Sequence, residues 1–188
     1  LFFFVPIASV YVEAFRGTSP GEALASVGRV LSSSRTASIV GFTSGQAALS
    51  ALIGVLVALP IAYAVSHYDF PGKRFVYSLS LIPFVLPSII VVVCMISFYG
   101  KSGLLNSILG TDYNLVYNFR GIVLAHVFYD FSLAIRVIAT AWRSIDKRYR
   151  EAAESLGERP TGLFFRVTVP LLAPAVISGF VLIFIYTF

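Results

Sequence analysis

Ionisable side chains within apolar segments are the residues of this sequence that could do chemistry. His126 and Asp130 lie four residues apart in an apolar stretch, so on a helix they share a face. Titratable groups at membrane depth either line a transport pathway or pair in the protein interior. The sequence therefore predicts one of these two roles for His126 and Asp130, and a buried structural pairing is the simpler one.

Other patterns that could carry chemistry are incomplete. Gly100-Lys101-Ser102 matches the end of a phosphate-binding P-loop, but Met95 stands where the earlier glycine is required. Cys94 is the only cysteine of the sequence, so this chain alone can build neither a disulfide framework nor a cysteine-based metal site. We therefore expect no catalytic residues and no cofactor, nucleotide or metal site in this chain. The sequence does not predict an enzyme.

The composition excludes an ordinary soluble domain. Of the 188 residues, 57% are hydrophobic and 12% are charged, and the mean hydropathy is +0.86, whereas soluble domains carry about 25% charged residues. About 20 apolar residues in a helix cross a hydrocarbon layer about 30 Å thick, because backbone groups without water must bond within their own segment. The sequence predicts an all-α, polytopic transmembrane helix bundle in the plasma or inner membrane.

Apolar stretches of spanning length follow a shorter one at the start. They cover 39–65, 75–99, 116–141 and 167–188, after the initial stretch 1–12. Neither an initiator methionine nor a basic segment precedes the first stretch, which argues against a secretory signal peptide. We expect a single transmembrane domain over 1–188 with about five spans, truncated at both ends.

The basic residues predict the orientation of the chain. Lys and Arg are enriched in short cytoplasmic loops. Segments 66–74 and 142–166 hold eight cations, against five on the opposite side. The eight are Lys73, Arg74, Arg143, Lys147, Arg148, Arg150, Arg159 and Arg166. The five are Arg16, Arg29, Arg35, Lys101 and Arg120. We place the first group in the cytoplasm, and the net charge of +5 then requires no nucleic-acid partner.

Proline occurs within two of the predicted spans. Pro60 lies in the stretch 39–65, and Pro83 and Pro87 lie in the stretch 75–99. Proline removes a backbone donor and favours a kink. Proline is also frequent in ordinary membrane helices. These prolines are therefore equally well interpreted as kinks that shape a pathway or as kinks without a function.

The segment before the last span is too polar for lipid and rich in helix formers. It reads Ser-Ile-Asp-Lys-Arg-Tyr-Arg-Glu-Ala-Ala-Glu-Ser-Leu-Gly over 144–157. Asp146 suits the capping position before a helix, Gly157 suits the left-handed residue after it, and Pro160 blocks continuation. The sequence predicts a short helix outside the membrane.

One side of this helix is apolar. Tyr149, Ala152, Ala153 and Leu156 recur at intervals of three and four residues, which places them on one stripe. The alanines allow another surface to approach closely, and the two larger side chains can fill pockets beside them. The stripe is predicted to dock on a partner or, alternatively, to pack against the chain's own membrane helices.

A longer pattern begins in the same helix. Glu151-Ala152-Ala153 is followed by Gly157 and, after nine intervening residues, by Val167 and then Val169-Pro170. With these residues the segment resembles the signature loop of binding-protein-dependent ABC importer permeases, which has isoleucine and leucine at the two valine positions. Both departures keep an apolar side chain at the membrane boundary.

Further stretches are similar to the same family. They are 59–63, 70–73 and 82–87, so that the resemblance covers nearly the whole chain. Stretches 99–106 and 121–128 are similar to the iron(III), thiamine and polyamine importers. The resemblance implies the type I importer permease fold, and in the iron(III) and thiamine types one polypeptide often carries two such halves.

The family resemblance implies that this helix is a coupling helix, seated in a groove on a separate ATPase subunit. In that role the alanines give close approach, Glu151 offers a charge, Gly157 makes the turn and Pro170 leads into the last span. The residues implied to couple to the ATPase are Tyr149, Glu151, Ala152, Ala153, Leu156, Gly157, Val167 and Pro170.

The resemblance also implies the partners. They are ABC ATPase subunits that bind the ATP, an extracytoplasmic substrate-binding protein, a second permease half that is fused or separate, and the lipid bilayer. The implied cargo is iron(III), thiamine or a polyamine. The alternative is a secondary transporter or channel driven by an ion gradient through His126 or Asp130, and a membrane-bound enzyme ranks third.

Overall fold

The computed structural model describes residues 4–17, 19–80 and 82–188. Over these ranges the chain forms α-helices, one π-helical segment and connecting turns, with no strand. The prediction of an all-α chain is confirmed. The chain divides into two compact units, Leu1–Thr43 and Ser44–Phe188, and a single transmembrane domain over 1–188 stays a prediction.

The first unit contains two short helices and the start of a long one. Helix α1 covers Phe4–Phe15, α2 covers Pro20–Leu31, and α3 begins at Ser34 and runs to His67 in the second unit. A capping box starts α2, because Ser19 Oγ accepts from the Glu22 N–H at 3.4 Å and Glu22 Oε2 accepts from the Ser19 N–H at 3.1 Å. The initial apolar stretch 1–12 falls largely in α1, and its first three residues lie outside the described residues.

The second unit contains most of α3 and the remaining helices. These are α4 Lys73–Leu79, α5 Ile82–Val85, α6 Ser88–Tyr99, α7 Leu104–Leu109, α8 Phe119–Ser144, α9 Lys147–Ser155, α10 Pro160–Leu163 and α11 Val169–Thr187. The π-helical segment Phe164–Thr168 joins α10 to α11. The chain is therefore helical without a break from residue 160 to residue 187.

Four helical stretches of the described chain are long and apolar enough to cross a membrane. They are Ser34–His67, Ser88–Leu109, Phe119–Ser144 and Pro160–Thr187. The predicted span 75–99 differs from the structure, which divides it among α4, α5 and α6, with Pro87 directly before α6. Proline lacks an N–H and disfavours the helical conformation in the residue before it. Leu86, which precedes Pro87, accordingly lies between α5 and α6 and outside both. Pro60, in contrast, lies inside the continuous α3.

Small residues allow α3, α8 and α11 to pack closely. A β-carbon added at Gly54 of α3 would lie 2.9 Å from Ile183 Cδ1 of α11, and one added at Gly179 of α11 would lie 3.4 Å from Ala134 Cβ of α8. Small side chains at such crossings are typical of membrane helices, where close backbone approach replaces the hydrophobic effect. Five fully buried alanines belong to the same core: Ala51, Ala58, Ala62, Ala134 and Ala139.

A buried asparagine holds the connection between α6 and α8. Asn106 Nδ2 donates to the carbonyl oxygens of Gly100, Lys101 and Tyr113 at 3.1, 3.0 and 2.7 Å. Its Oδ1 accepts from the Thr111 hydroxyl at 3.0 Å and from the Tyr113 N–H at 3.1 Å. Gly100 and Lys101, which imitate the end of a P-loop, are thus part of a turn whose carbonyls this side chain satisfies.

Candidate functional site

Helix α9 begins at the residue that the sequence predicts. Asp146 precedes Lys147 in extended conformation, and its Oδ1 accepts a hydrogen bond from the Arg148 N–H at 3.0 Å. A capping carboxylate satisfies a backbone donor that the first turn of a helix leaves free, and its charge also suits the positive end of the helix dipole. The prediction of Asp146 as the N-cap is confirmed.

The end of α9 also follows the prediction. Gly157 has φ of +81°, and no atom lies within 4 Å of the place where its β-carbon would be. The Gly157 N–H donates to the Glu154 carbonyl and the Glu158 N–H donates to the Ala153 carbonyl, each at 3.0 Å. This pair of bonds is a Schellman motif, so the glycine is required by backbone conformation and not by lack of space.

The apolar stripe of α9 divides into an exposed part and a buried part. Leu156 is 88% exposed and Tyr149 is 55% exposed, and Ala152 is exposed between them. Ala153 is 9% exposed, and the helix that carries it contacts α10 and the π-helical segment. Of the two alanines expected to approach a partner, Ala152 is exposed and Ala153 is buried within the chain, so docking through Ala152 stays a prediction.

Charged side chains flank this exposed patch, which consists of Tyr149, Ala152 and Leu156. Arg150 Nε lies 2.7 Å from Glu154 Oε1, and Arg166 Nη1 lies 3.3 Å from Glu158 Oε1. The Glu154 carboxylate raises the pKa of the Arg150 guanidinium above its ordinary value. Glu151 is exposed, and within the described ranges its carboxylate takes part in no ion pair. It therefore offers a negative charge beside the apolar patch.

The second half of the sequence pattern lies in a helix and not in a loop. Val167 is half-buried in the π-helical segment, and Pro170 is exposed in the first turn of α11. The Val169 N–H donates to the Phe164 carbonyl, five residues earlier, next to the proline that lacks an N–H. Pro170 is therefore accommodated within the helix by wider π-type bonding beside it.

Aromatic residues from two membrane helices lie below α9. Tyr63 and His67 of α3 contact Trp142 of α8, with ring centroids 5.3 and 5.5 Å apart. A cavity of about 250 Å³ separates these rings from Arg150 and Glu154 of α9. The sequence analysis did not single out these rings, although aromatic residues at span ends are typical of the membrane interface.

His126 and Asp130 belong to one polar cluster, in which Asp130 is buried and His126 is half-buried. Asp130 is 2% exposed, and its Oδ2 accepts a hydrogen bond from the Thr187 hydroxyl at 3.1 Å. His126 Nδ1 lies 3.1 Å from Gln46 Oε1, and Gln46 Nε2 donates to the Thr187 carbonyl at 3.4 Å. His126 and Asp130 are thus connected through α3 and α11 and not directly.

In this polar cluster, formed by Gln46, His126, Asp130 and Thr187, the Asp130 carboxylate has the Thr187 hydroxyl as a partner of Oδ2 and no hydrogen-bond partner among the described residues at Oδ1. At 2% exposure its carboxylate lines no open path in this structure. Pathway lining by His126 and Asp130 stays a prediction. Gln46 and Thr187 were not predicted as part of this site, because their only signal in the sequence is a polar side chain within an apolar stretch.

Comparison with known proteins adds independent findings. Residues 50–188 match the model of the family described as binding-protein-dependent transport system inner membrane component. The chain is 34% identical over 143 residues to a probable sulfate transport system permease protein of Helicosporidium sp. subsp. Simulium jonesii, covering 76% of this chain and 53% of that protein.

Thiamine permeases are similar as well. The chain is 32% identical over 139 residues to the thiamine transport system permease protein of Brucella abortus, covering 71% of this chain and 26% of that protein. The chain is also 33% identical over 154 residues to the thiamine transport system permease protein of Escherichia coli. This match covers 80% of this chain and 29% of that protein. The chain thus spans about half the length of the sulfate relative and between a quarter and a third of the thiamine relatives.

Proposed function

The chain belongs to the family of binding-protein-dependent transport system inner membrane components, and from that premise we propose that it forms part of a translocation path and couples this path to ATPase subunits through α9. It is a multi-pass membrane protein of an ABC importer permease family, and members of this family are transporters and not enzymes. ATP hydrolysis is assigned in this proposal to a separate subunit.

The exposed patch of α9 is the observation that supports coupling. Tyr149, Ala152 and Leu156 lie on a capped helix outside the membrane-length stretches, and the patch is open to the surroundings. An amphipathic helix binds a partner by laying such a face into an apolar groove. Glu151 adds a charge that a cation of the ATPase would meet at the edge of the groove.

Short connections make α9 suitable for transmitting movement. Ile145 and Asp146 alone separate α9 from α8, and residues 156–159 separate it from the continuous helix that ends as α11. Because α8 and α11 both pack on α3, a displacement of α9 passes to all three helices. Closure of two ATPase subunits on nucleotide would therefore alternate the permease between inward-open and outward-open states.

The cargo is proposed to reach the chain from an extracytoplasmic binding protein, with a second permease half completing the path. Thiamine is the cargo common to the sequence resemblance and to the named relatives. Sulfate is supported by a relative alone, and iron(III) and polyamines are supported by the resemblance alone. We propose thiamine as the first substrate to test and sulfate as the second.

Cysteine cross-linking tests the coupling role directly. In a Cys94→Ser background, Ala152→Cys is expected to cross-link to the co-expressed ATPase subunit in intact cells. Lys147→Cys is the matched control, because it is exposed on the opposite side of the same helix. Equal cross-linking from both positions, or none from Ala152→Cys, would overturn the proposal.

Energy coupling distinguishes the importer from a gradient-driven transporter. Uptake of radiolabelled thiamine, with its binding protein outside the vesicles, is measured in proteoliposomes that enclose ATP. The importer requires the ATP and the ATPase subunit. Uptake driven by a proton or sodium gradient without ATP would favour the secondary transporter and a transport role for Asp130.

A further inference from the structure

Helix α2 has one apolar side that the described residues leave uncovered. Leu24, Val27 and Leu31 follow one another at intervals of three and four residues and are 75%, 54% and 70% exposed. Val30 lies beside them and is 60% exposed. An apolar arc of this width is typical of a helix whose one side is covered.

The opposite side of α2 is polar and satisfied within the helix. Glu22, Ser26 and Arg29 lie at intervals of four and three residues. The Ser26 hydroxyl donates to the Glu22 carbonyl at 2.8 Å, and Arg29 Nη2 donates to the Ser26 hydroxyl at 3.1 Å. This side needs no partner and is suited to water.

The connection to α3 fixes the level of α2 relative to the bilayer. Two residues separate the helices, and both are bonded: the Ser32 N–H donates to the Gly28 carbonyl at 3.0 Å, and Ser33 Oγ accepts from the Thr36 N–H at 3.1 Å. The apolar run of α3 begins at Ile39, about 8 Å along the helix from Ser34. The headgroup layer is about 5–8 Å thick on each side, so the end of α2 lies at headgroup level.

We propose that α2 lies in the plane of the membrane surface. Leu24, Val27, Val30 and Leu31 enter the boundary of the acyl chains, and the side that carries Glu22 and Arg29 faces water. The apolar arc is aliphatic, whereas protein interfaces favour Tyr, Trp and Arg, so the bilayer is the occupant that fits. By the orientation that the charges predict, this is the extracytoplasmic surface, and α2 anchors the start of α3 there.

Spin-label accessibility tests this placement. Single-cysteine variants of the full chain in the Cys94→Ser background are labelled at Leu24, Val27 and Leu31, and matched controls are labelled at Glu22, Ser26 and Arg29. Each is reconstituted in vesicles of phosphatidylethanolamine and phosphatidylglycerol, and a melting temperature close to that of the unlabelled protein confirms folding. Collisions with oxygen report lipid contact, and collisions with a water-soluble nickel complex report contact with water.

The proposal requires higher oxygen accessibility at 24, 27 and 31 and higher nickel accessibility at 22, 26 and 29. High nickel accessibility at all six positions would place α2 in water and overturn the proposal. Low accessibility to both reagents at 24, 27 and 31 would show a covering protein surface and would also overturn it. Neither outcome bears on coupling through α9, which is tested by its own cross-links.

Discussion

The α9 segment and the polar cluster around Asp130 make their hydrogen bonds over very different distances along the chain. In the α9 segment the capping and closing bonds join residues no more than five positions apart, such as Asp146 with Arg148 and Ala153 with Glu158. In the polar cluster the bonds join residues 57, 80 and 141 positions apart. Water can bond the polar groups that a surface helix leaves free, whereas an ionisable side chain within a membrane depends on partners from the protein.

The comparison extends to their apolar neighbours. Around α9 the large side chains Tyr149 and Leu156 are exposed, which leaves the apolar face that the proposed coupling requires. Around Asp130 the hydrogen bonds come from the chain itself, and among the described residues only its Oδ1 is buried in this cluster without a hydrogen-bond partner. Substitutions at α9 should therefore change association, and substitutions in the cluster should change stability.

The largest effect on ATPase association and transport is expected from Gly157→Pro. Proline fixes φ near −65° and cannot adopt the +81° found at this position, and it removes the N–H that bonds to Glu154. We expect loss of co-purifying ATPase and of transport, with unchanged membrane insertion. Gly157→Asn is the control, because asparagine tolerates the left-handed conformation. Normal transport by Gly157→Pro would show that the turn after α9 is not needed.

The neighbouring alanines should give two different defects. Ala152→Phe is expected to weaken ATPase association about tenfold or more, because overpacking an interface costs about 1–3 kcal/mol, and to leave the melting temperature unchanged. Ala153→Phe is expected to cost a similar free energy within the folded chain, because Ala153 is buried. Affinity for the ATPase and melting temperature are measured for both variants. If both variants lost affinity and melting temperature alike, the distinction between an exposed Ala152 and a buried Ala153 would be contradicted.

A smaller effect on stability is expected in the polar cluster. Thr187→Val removes the hydroxyl that donates to Asp130, and hydrogen bonds between membrane helices contribute about 0.6–2 kcal/mol. Thr187→Ser keeps the donor and is the control. The melting temperature in lipid nanodiscs should fall for valine only, while cross-linking from Ala152→Cys stays the same. A loss of cross-linking would show that the two regions are coupled.

The smallest effect is expected for the ion pair on the surface of α9. Arg150→Ala removes a pair whose side chains are 70% and 51% exposed, and such pairs contribute about 0.3–0.5 kcal/mol. The melting temperature should change slightly at low salt and not at all at high salt, where the pair is screened. A large loss of stability would indicate that the cavity below α9 depends on Arg150.

Local chemistry explains why the sequence predicted α9 so closely. The cap at Asp146, the left-handed Gly157 and the period of the apolar stripe each depend on residues within a few positions of one another. The membrane-length stretches depend only on local hydropathy, and the family pattern is a matter of spacing. The break before α6 was harder to predict from the sequence, because Pro87 lies directly before a helix whereas Pro60 lies inside one.

By itself the sequence determined that this chain is an all-α membrane protein with a capped helix outside its spans and the spacing of an importer permease, because hydropathy, capping and spacing act over short distances along the chain. Only the tertiary structure decided that Ala153 turns inward, and that Gln46 and Thr187 complete the surroundings of His126 and Asp130. These choices depend on which faces of α3, α8 and α11 meet. That is set by the packing of residues far apart in sequence, such as Gly54 against Ile183.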